Sequence, residues 1–414
     1  MLSIRQSSGK KAVKSPRIAL AVAGGGPLGG IYELGALRAL DDCVDGLRLT
    51  DLDAYVGVSS GAFVAAALAN GVNPSQMTRI FIDSASTEHP LTPDMFLRPA
   101  FSEFLRSLRA VPGVCMDSIR TLMAAPLSMP LSDTLSHWMR LIPNGICDSH
   151  ALERFLADMF SRDGRSDDFR ELGNPLYIVA VDLDTGGAVR FGADGYNHVP
   201  ISRAVVASAA LPGLFPPVEI EGNHYVDGAL RRTLHASAAL EHGCDLLLAI
   251  NPLVPFDNTA HRLKCKDNGL VDRGLVTVLS QTFRAMIQSR MKVGMQRYED
   301  QYPNTDFLLF EPENDDTEMF YTNVFSYSDR QRLCEHAYQV TRQQLLDARA
   351  QLEPTLERFG LGLIDAHLLD PERSYQTGMQ GPISSTNPVS GRLANVLGDL
   401  EGWIRTQREG QSGS

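Results

Sequence analysis

"IALAVAGGGPLGGIYELGALRAL", residues 18–40, begins as an apolar run, stops at three glycines, passes a proline and two more glycines, and becomes helical. RIALAVA (17–23) reads as a buried strand and IYELGALRALDDC (31–43) as a helix. Glycine serves such a turn where φ is positive or where something must approach the main chain closely. A nucleotide phosphate fits that description. The oxyanion of an ester under attack fits it equally well.

The pattern repeats at once. LDAYVGV (52–58) is a second strand, and SGAFVAAALANG (60–71) a small-residue helix that stops at Gly71. Further on, PLYIVAVDL (175–183), CDLLLAINPL (244–253) and TDFLLFEP (305–312) read as strands, and ISRAVVASAAL (201–211) as a helix. Alternating strands and helices predict an α/β fold around a mostly parallel sheet. Residues 92–148 break the alternation with a Met-, Leu-, Phe- and Pro-rich segment that includes Met95, Phe96, Phe101, Phe104, Leu105, Leu108 and Trp138. This is expected to be a helical insertion, a cap or lid over the sheet. Residues 274–298 are expected to be an amphipathic helix. Leu279, Phe283, Ile287, Met291 and Met295 form its core-facing stripe, and Arg284, Arg290, Lys292 and Arg297 a solvated basic face, with a membrane-surface helix as the alternative reading. Residues 328–352 form another helix. The domain layout expected is a disordered basic tail at 1–16, a main α/β domain at 17–325 and a helical extension at 326–414.

The net charge of −11 argues against a dedicated nucleic-acid binder, which would carry a basic footprint. Six scattered cysteines show neither a disulfide framework nor zinc-ligand spacing. The N-terminus lacks the apolar core of a secretory signal, and no run is long enough to span a bilayer. These features point to a cytoplasmic protein, with peripheral membrane contact left open.

Two further motifs carry chemistry. GVSSG (57–61) has the G-x-S-x-G form at the end of a strand and the start of a helix, the context of a nucleophile elbow at Ser59. The alternative is a Gly/Ser turn with Ser59 or Ser60 as N-cap. YVDGAL (225–230) places Asp227 before a glycine at a strand end, where it either projects a carboxylate or forms a plain turn. A serine hydroxyl needs a base, and its target carbonyl needs convergent N–H donors. A carboxylate can be that base without histidine if burial raises its pKa. The glycine loop also satisfies G-x-G-x-x-G at Gly24, Gly26 and Gly29. A dinucleotide site would want an acidic residue at the end of the second strand, where this chain has GVSSG.

Taken together, GGGPLG (24–29), GVSSG, ASAALPGLFPPV (207–218) and YVDGAL resemble the patatin-like phospholipase family. The likeness runs from about Arg17 to Pro252. It implies a three-layer α/β/α sandwich and a Ser–Asp dyad that hydrolyses acyl esters of lipids, as in phospholipases A, lysophospholipases and lipid esterases. By matching motif, Ser59 is the nucleophile and Asp227 its base. Gly24, Gly25, Gly26 and Ser60 form the oxyanion hole. No cofactor or metal is implied, and the partner is a lipid or other acyl-ester substrate. The family usually has Arg or Lys where this chain has Leu28, which removes a cation near the anion. Two other readings remain at this level. One is a Ser-His-Asp hydrolase drawing on His224, His235, His336 or His367, with His235 placed in the helix after Asp227. The other is a lipid-binding scaffold without chemistry.

Overall fold

The apolar runs pair into a single nine-stranded sheet in a computed structural model of the chain. The structure describes residues 1–7, 15–83, 108–116, 143–162, 164–232, 234–259, 269–322 and 327–379, with residues 100, 105 and 141 besides. The strands are β1 (Leu2–Arg5), β2 (Ile18–Val22), β3 (Val44–Asp45), β4 (Ala54–Val58), β5 (Leu176–Asp182), β6 (Ala188–Phe191), β7 (Val218–Ile220), β8 (Asn223–Asp227), β9 (Leu246–Ile250), β10 (Asp306–Phe310) and β11 (Gly362–Leu363). The large sheet runs β1-β10-β9-β2-β4-β5-β8-β7, with β6 also on β5, while β3 and β11 pair separately. Strands β10, β9, β2, β4 and β5 are mutually parallel, and β1, β6, β8 and β7 are antiparallel additions at the two ends. Every residue of β2, β4, β9 and β10 is buried. Strands covered on both faces read as unbroken apolar runs, which is why these were visible in the sequence.

Nine helices matter here: α1 (Gly26–Cys43), α2 (Ser60–Ala69), α3 (Pro74–Phe81), α4 (His150–Phe160), α5 (Ile201–Ser208), α6 (Ser237–Glu241), α7 (Leu275–Gln301), α8 (Tyr327–Asp347) and α9 (Arg349–Arg358). Successive strand residues point to opposite faces, so the core divides in two. Leu20, Val22, Tyr55, Ile178, Leu248 and Phe310 pack with α1, α2 and α8. Ala21, Val56, Val58, Val179, Leu247 and Leu309 pack with α6 and α7. The fold is therefore the expected three-layer α/β/α sandwich.

Three expectations need correction. Residues 1–16 are not all tail, because Leu2–Arg5 pairs with Phe307–Phe310 as an edge strand. His235 precedes α6 rather than lying in it, with a positive φ of 43°. The apolar stripe read on α7 does not face the core along its length. Leu279 and Phe283 are 45% and 44% exposed, Met291 is buried, and the supposedly solvated Arg284 is buried against the Val254 carbonyl. A strict four-residue spacing drifts by about 40° per step around a helix, so five such residues cover about 160° and pass from solvent to core. The described part of the C-terminal segment packs into the core of the sandwich. Leu333, Cys334, Ala337 and Tyr338 are fully buried in the same cluster as α1. Tyr338 Oη donates to Asp42 Oδ2 at 2.7 Å, and Arg373 grips the same carboxylate with Nη2 2.7 Å from Oδ1. The insertion at 92–148 lies largely outside the described residues. Of its named apolar side chains only Leu105 and Leu108 are described, and both are exposed.

Candidate active site

The parallel strands β2 and β4 deliver the glycine loop and GVSSG to the same edge of the sheet, because Val22 is in register with Gly57. The chain leaves β4 through Ser59 at φ 52°, ψ −120° and enters α2 at Ser60. A non-glycine residue in that region is strained, and such strain collects at functional sites. The tight turn demands glycine behind it. A Cβ on Gly61 would come within 2.4 Å of the Val22 carbonyl oxygen.

Ser59 makes no N-cap hydrogen bond with its side chain. Its Oγ instead donates to Asp227 Oδ2 at 2.7 Å. Asp227 ends β8, three strands across the sheet from β2, and its other oxygen accepts the Ala229 N–H at 2.8 Å. Both residues are buried. Burial pushes the Asp227 carboxyl up to about 6, and the bonds from Ser59 and Ala229 oppose that rise only partly.

The backbone of the pair is tied to one segment. The Ser59 N–H donates to Ser208 Oγ at 2.8 Å, Ser208 donates onward to the Val179 carbonyl, and the Asp227 N–H donates to the Ala210 carbonyl. Ser208 was not singled out in the sequence, although it lies within ASAALPGLFPPV.

The glycine loop approaches from the β2 side. Gly24 lies so close that a Cβ there would sit 2.8 Å from Ser59 Cβ, and Gly26 adopts φ +61°. The four expected donors are not equivalent. The Gly25 N–H is already committed to Ser60 Oγ at 2.9 Å, so Gly25 anchors the loop instead of offering a free donor. The amides of Gly24, Gly26 and Ser60 find no acceptor among the described residues. Those of Gly26 and Ser60 open helices, where free N–H groups and the positive dipole end favour an anion. Ser60 Oγ also donates to Glu33 Oε1 at 3.0 Å. Glu33 is fully buried, and burial raises its pKa well above the usual carboxylate range. Sequence reading missed it. The available signal was a lone acid inside the apolar run of α1. Leu28, in the position of the family's basic residue, packs partly buried against the core.

None of the four candidate histidines bonds Ser59 or Asp227. His336 pairs with Asp316, His367 with the Asp42 carbonyl, and His224 is exposed on β8. His235 is buried near the Gly228 backbone, and burial with Arg232 and Arg231 lowers its pKa to about 4, so it is neutral. Among the described residues no group of three or more His, Cys, Asp or Glu could hold a metal ion.

Residues 20–240 match the model of the Patatin-like phospholipase family. The chain belongs to that family. Solved structures similar to this patatin-like chain include VipD from Legionella pneumophila, at 16% identity, covering 84% of this chain and 70% of that one with a TM-score of 0.39. The type III effector ExoU of Pseudomonas aeruginosa is 18% identical over 84% of this chain and 56% of its own, with a TM-score of 0.36. Human GIVD cytosolic phospholipase A2, solved with methyl gamma-linolenyl fluorophosphonate, is 12% identical over 81% of this chain and 58% of its own, with a TM-score of 0.30. This patatin-like chain thus spans a little over half the length of the latter two.

Proposed function

We propose that this chain hydrolyses acyl esters of lipids with Ser59 as nucleophile and Asp227 as its only side-chain base. The observation that carries the reading is the 2.7 Å bond from Ser59 Oγ to a buried carboxylate poised near 6. At neutral pH that carboxylate is ionised and basic enough to take the serine proton as Oγ attacks the ester carbonyl. The amides of Gly24, Gly26 and Ser60 receive the charge on the carbonyl oxygen. Asp227 then returns its proton to the leaving alcohol. An acyl-Ser59 ester remains, which water cleaves with Asp227 again accepting a proton. A histidine-based triad has no geometric support, since Ser59 Oγ is occupied by Asp227 directly.

Where a cation near the anion would favour an acidic head group, Leu28 supplies none, so the site itself selects for the ester. The protein works where its lipid lies, as a peripheral visitor to a membrane. No helix among the described residues is long and apolar enough to cross one. The test is a fluorophosphonate probe on the purified protein, with p-nitrophenyl esters of graded chain length and phospholipids as substrates. Labelling maps to Ser59, and Ser59→Ala loses both labelling and hydrolysis while keeping its melting temperature. Labelling at Ser60 or elsewhere refutes the assignment.

A further inference from the structure

Helix α7 (Leu275–Gln301) carries an exposed face that the hydrolytic site does not use. Leu275, Leu279, Phe283, Met286, Arg290, Val293, Arg297 and Gln301 fall within an arc of about 80° at 100° per residue. The apolar members are well exposed: Leu275 72%, Leu279 45%, Phe283 44%, Met286 48% and Val293 65%. The opposite face, with Arg284, Met291 and Tyr298, is buried. So the exposed arc is apolar in its first half and gains arginine toward its end.

That end opens on a cleft of about 470 Å³ whose lining includes Arg190, Arg231, Arg232, Arg297, His235 and Glu241. Four guanidiniums face a single acid, in a chain whose net charge is −11. Arg190 is paired with Glu241, and Arg231 donates to the Gly186 carbonyl. The side chains of Arg232 and Arg297 make no hydrogen bond or ion pair among the described residues. His235, only 6% exposed, also lines the cleft, and its Nε2 has no partner. Unpaired guanidiniums are forked donors suited to phosphate oxygens.

The first half of α7 lies by the active-site edge of the sheet. Arg284 and Gln281 bond the Val254 and Phe256 backbone, in the segment that leaves β9 just after Pro252, and Pro252 abuts Gly25. We infer that the exposed face of α7 is a docking surface for an anionic lipid membrane, its apolar half entering the acyl boundary and the arginine cleft holding a phosphorylated head group. An apolar arc continued by arginines is the composition that a helix lying on an anionic bilayer requires. A free anion would have no use for the apolar half, and four arginines about one acid in a chain of net charge −11 match an anionic surface.

The inference rests on the lipid hydrolase reading for its purpose but not for its test. Full-length Ser59→Ala protein is floated with vesicles of phosphatidylcholine alone, with added phosphatidylserine, or with added phosphatidylinositol 4-phosphate. Binding should rise in that order and fall with salt. Arg232→Glu with Arg297→Glu should weaken binding to the last two by about tenfold or more. Leu279→Ser with Phe283→Ser should weaken it on every vesicle, and inorganic pyrophosphate should compete only weakly. In an intact Ser59 background both pairs should cleave a short soluble ester at the wild-type rate. The inference is overturned if neither pair alters vesicle binding, or if pyrophosphate binds well while vesicles do not. It also fails if the wild type is a dimer that Leu279→Ser with Phe283→Ser converts to monomer. If vesicles bind as expected and the soluble ester is untouched by the wild type, docking stands and the hydrolase reading fails.

Discussion

A carboxyl that ionises near 6 sits between two demands, and Asp227 shows both. It must be charged to act as base, and its burial makes charge costly. The rate on a short ester should therefore rise with pH through an apparent pKa near 6 and then level off. Asp227→Asn should lower that rate by about a hundredfold or more. Stability moves the other way. The raised folded-state pKa means the native protein binds this proton more tightly than the unfolded chain. That stabilisation is complete below about pH 4 and is lost as pH rises through about 6. Asp227→Asn should thus melt above the wild type at pH 8, with the gap closing toward pH 4 in a calorimeter. The Glu33–Ser60–Gly25 chain makes a second claim at this scale. If Glu33 is held protonated, Glu33→Gln should keep activity within about threefold. Ser60→Ala removes the acceptor of the Gly25 N–H and should cut kcat about tenfold to a hundredfold at nearly constant KM, with Ser60→Thr restoring most of it. A large loss in Glu33→Gln with an intact fold would show that Glu33 works as an anion. Ser59 and Asp227 were legible because each stands in a motif with its own backbone reason. Glu33 and Ser208 were not, because what matters about them is burial and a partner far along the chain.

Among the elements, β1 and α7 teach the same lesson from opposite sides. LSIR is too short to announce itself, and it becomes a strand only because β10 offers a free edge. It is held from the side by Arg5, which lies 5.3 Å over the Phe307 ring and donates to the Glu299 carbonyl. Deleting residues 1–7 would leave β10, a strand buried along its whole length, as the sheet's margin, and exposed edges of that kind pair with other chains. The truncated protein should melt lower and form oligomers visible by light scattering, while the dyad keeps reacting with a fluorophosphonate in the monomer fraction. Unchanged melting and monodispersity would show that β1 is dispensable. For α7, the helix itself was legible from its periodicity, but which side met the core was not. The one stripe read from the sequence winds from the exposed arc to the buried one, and packing against β9 and β10 decides which part is covered.

For the whole molecule, the sandwich could be read from alternating elements, whereas the strand order could not. Nothing local in RIALAVA says that its neighbours are residues 54–57 on one side and 246–250 on the other. Those pairings, and the clamp of Arg373 and Tyr338 on the far end of α1, decide when the protein can come into being. A ribosome adds about 5–20 residues per second, and pairings between distant segments form slowly. The glycine loop is synthesised well before β9, so its strand lacks that neighbour until residue 250 has emerged, and α1 lacks its brace until residue 373. During that interval two wholly apolar strands wait with an open flank. Birth, for this protein, is therefore a long exposure, and chaperone capture of the nascent chain should be part of its ordinary life.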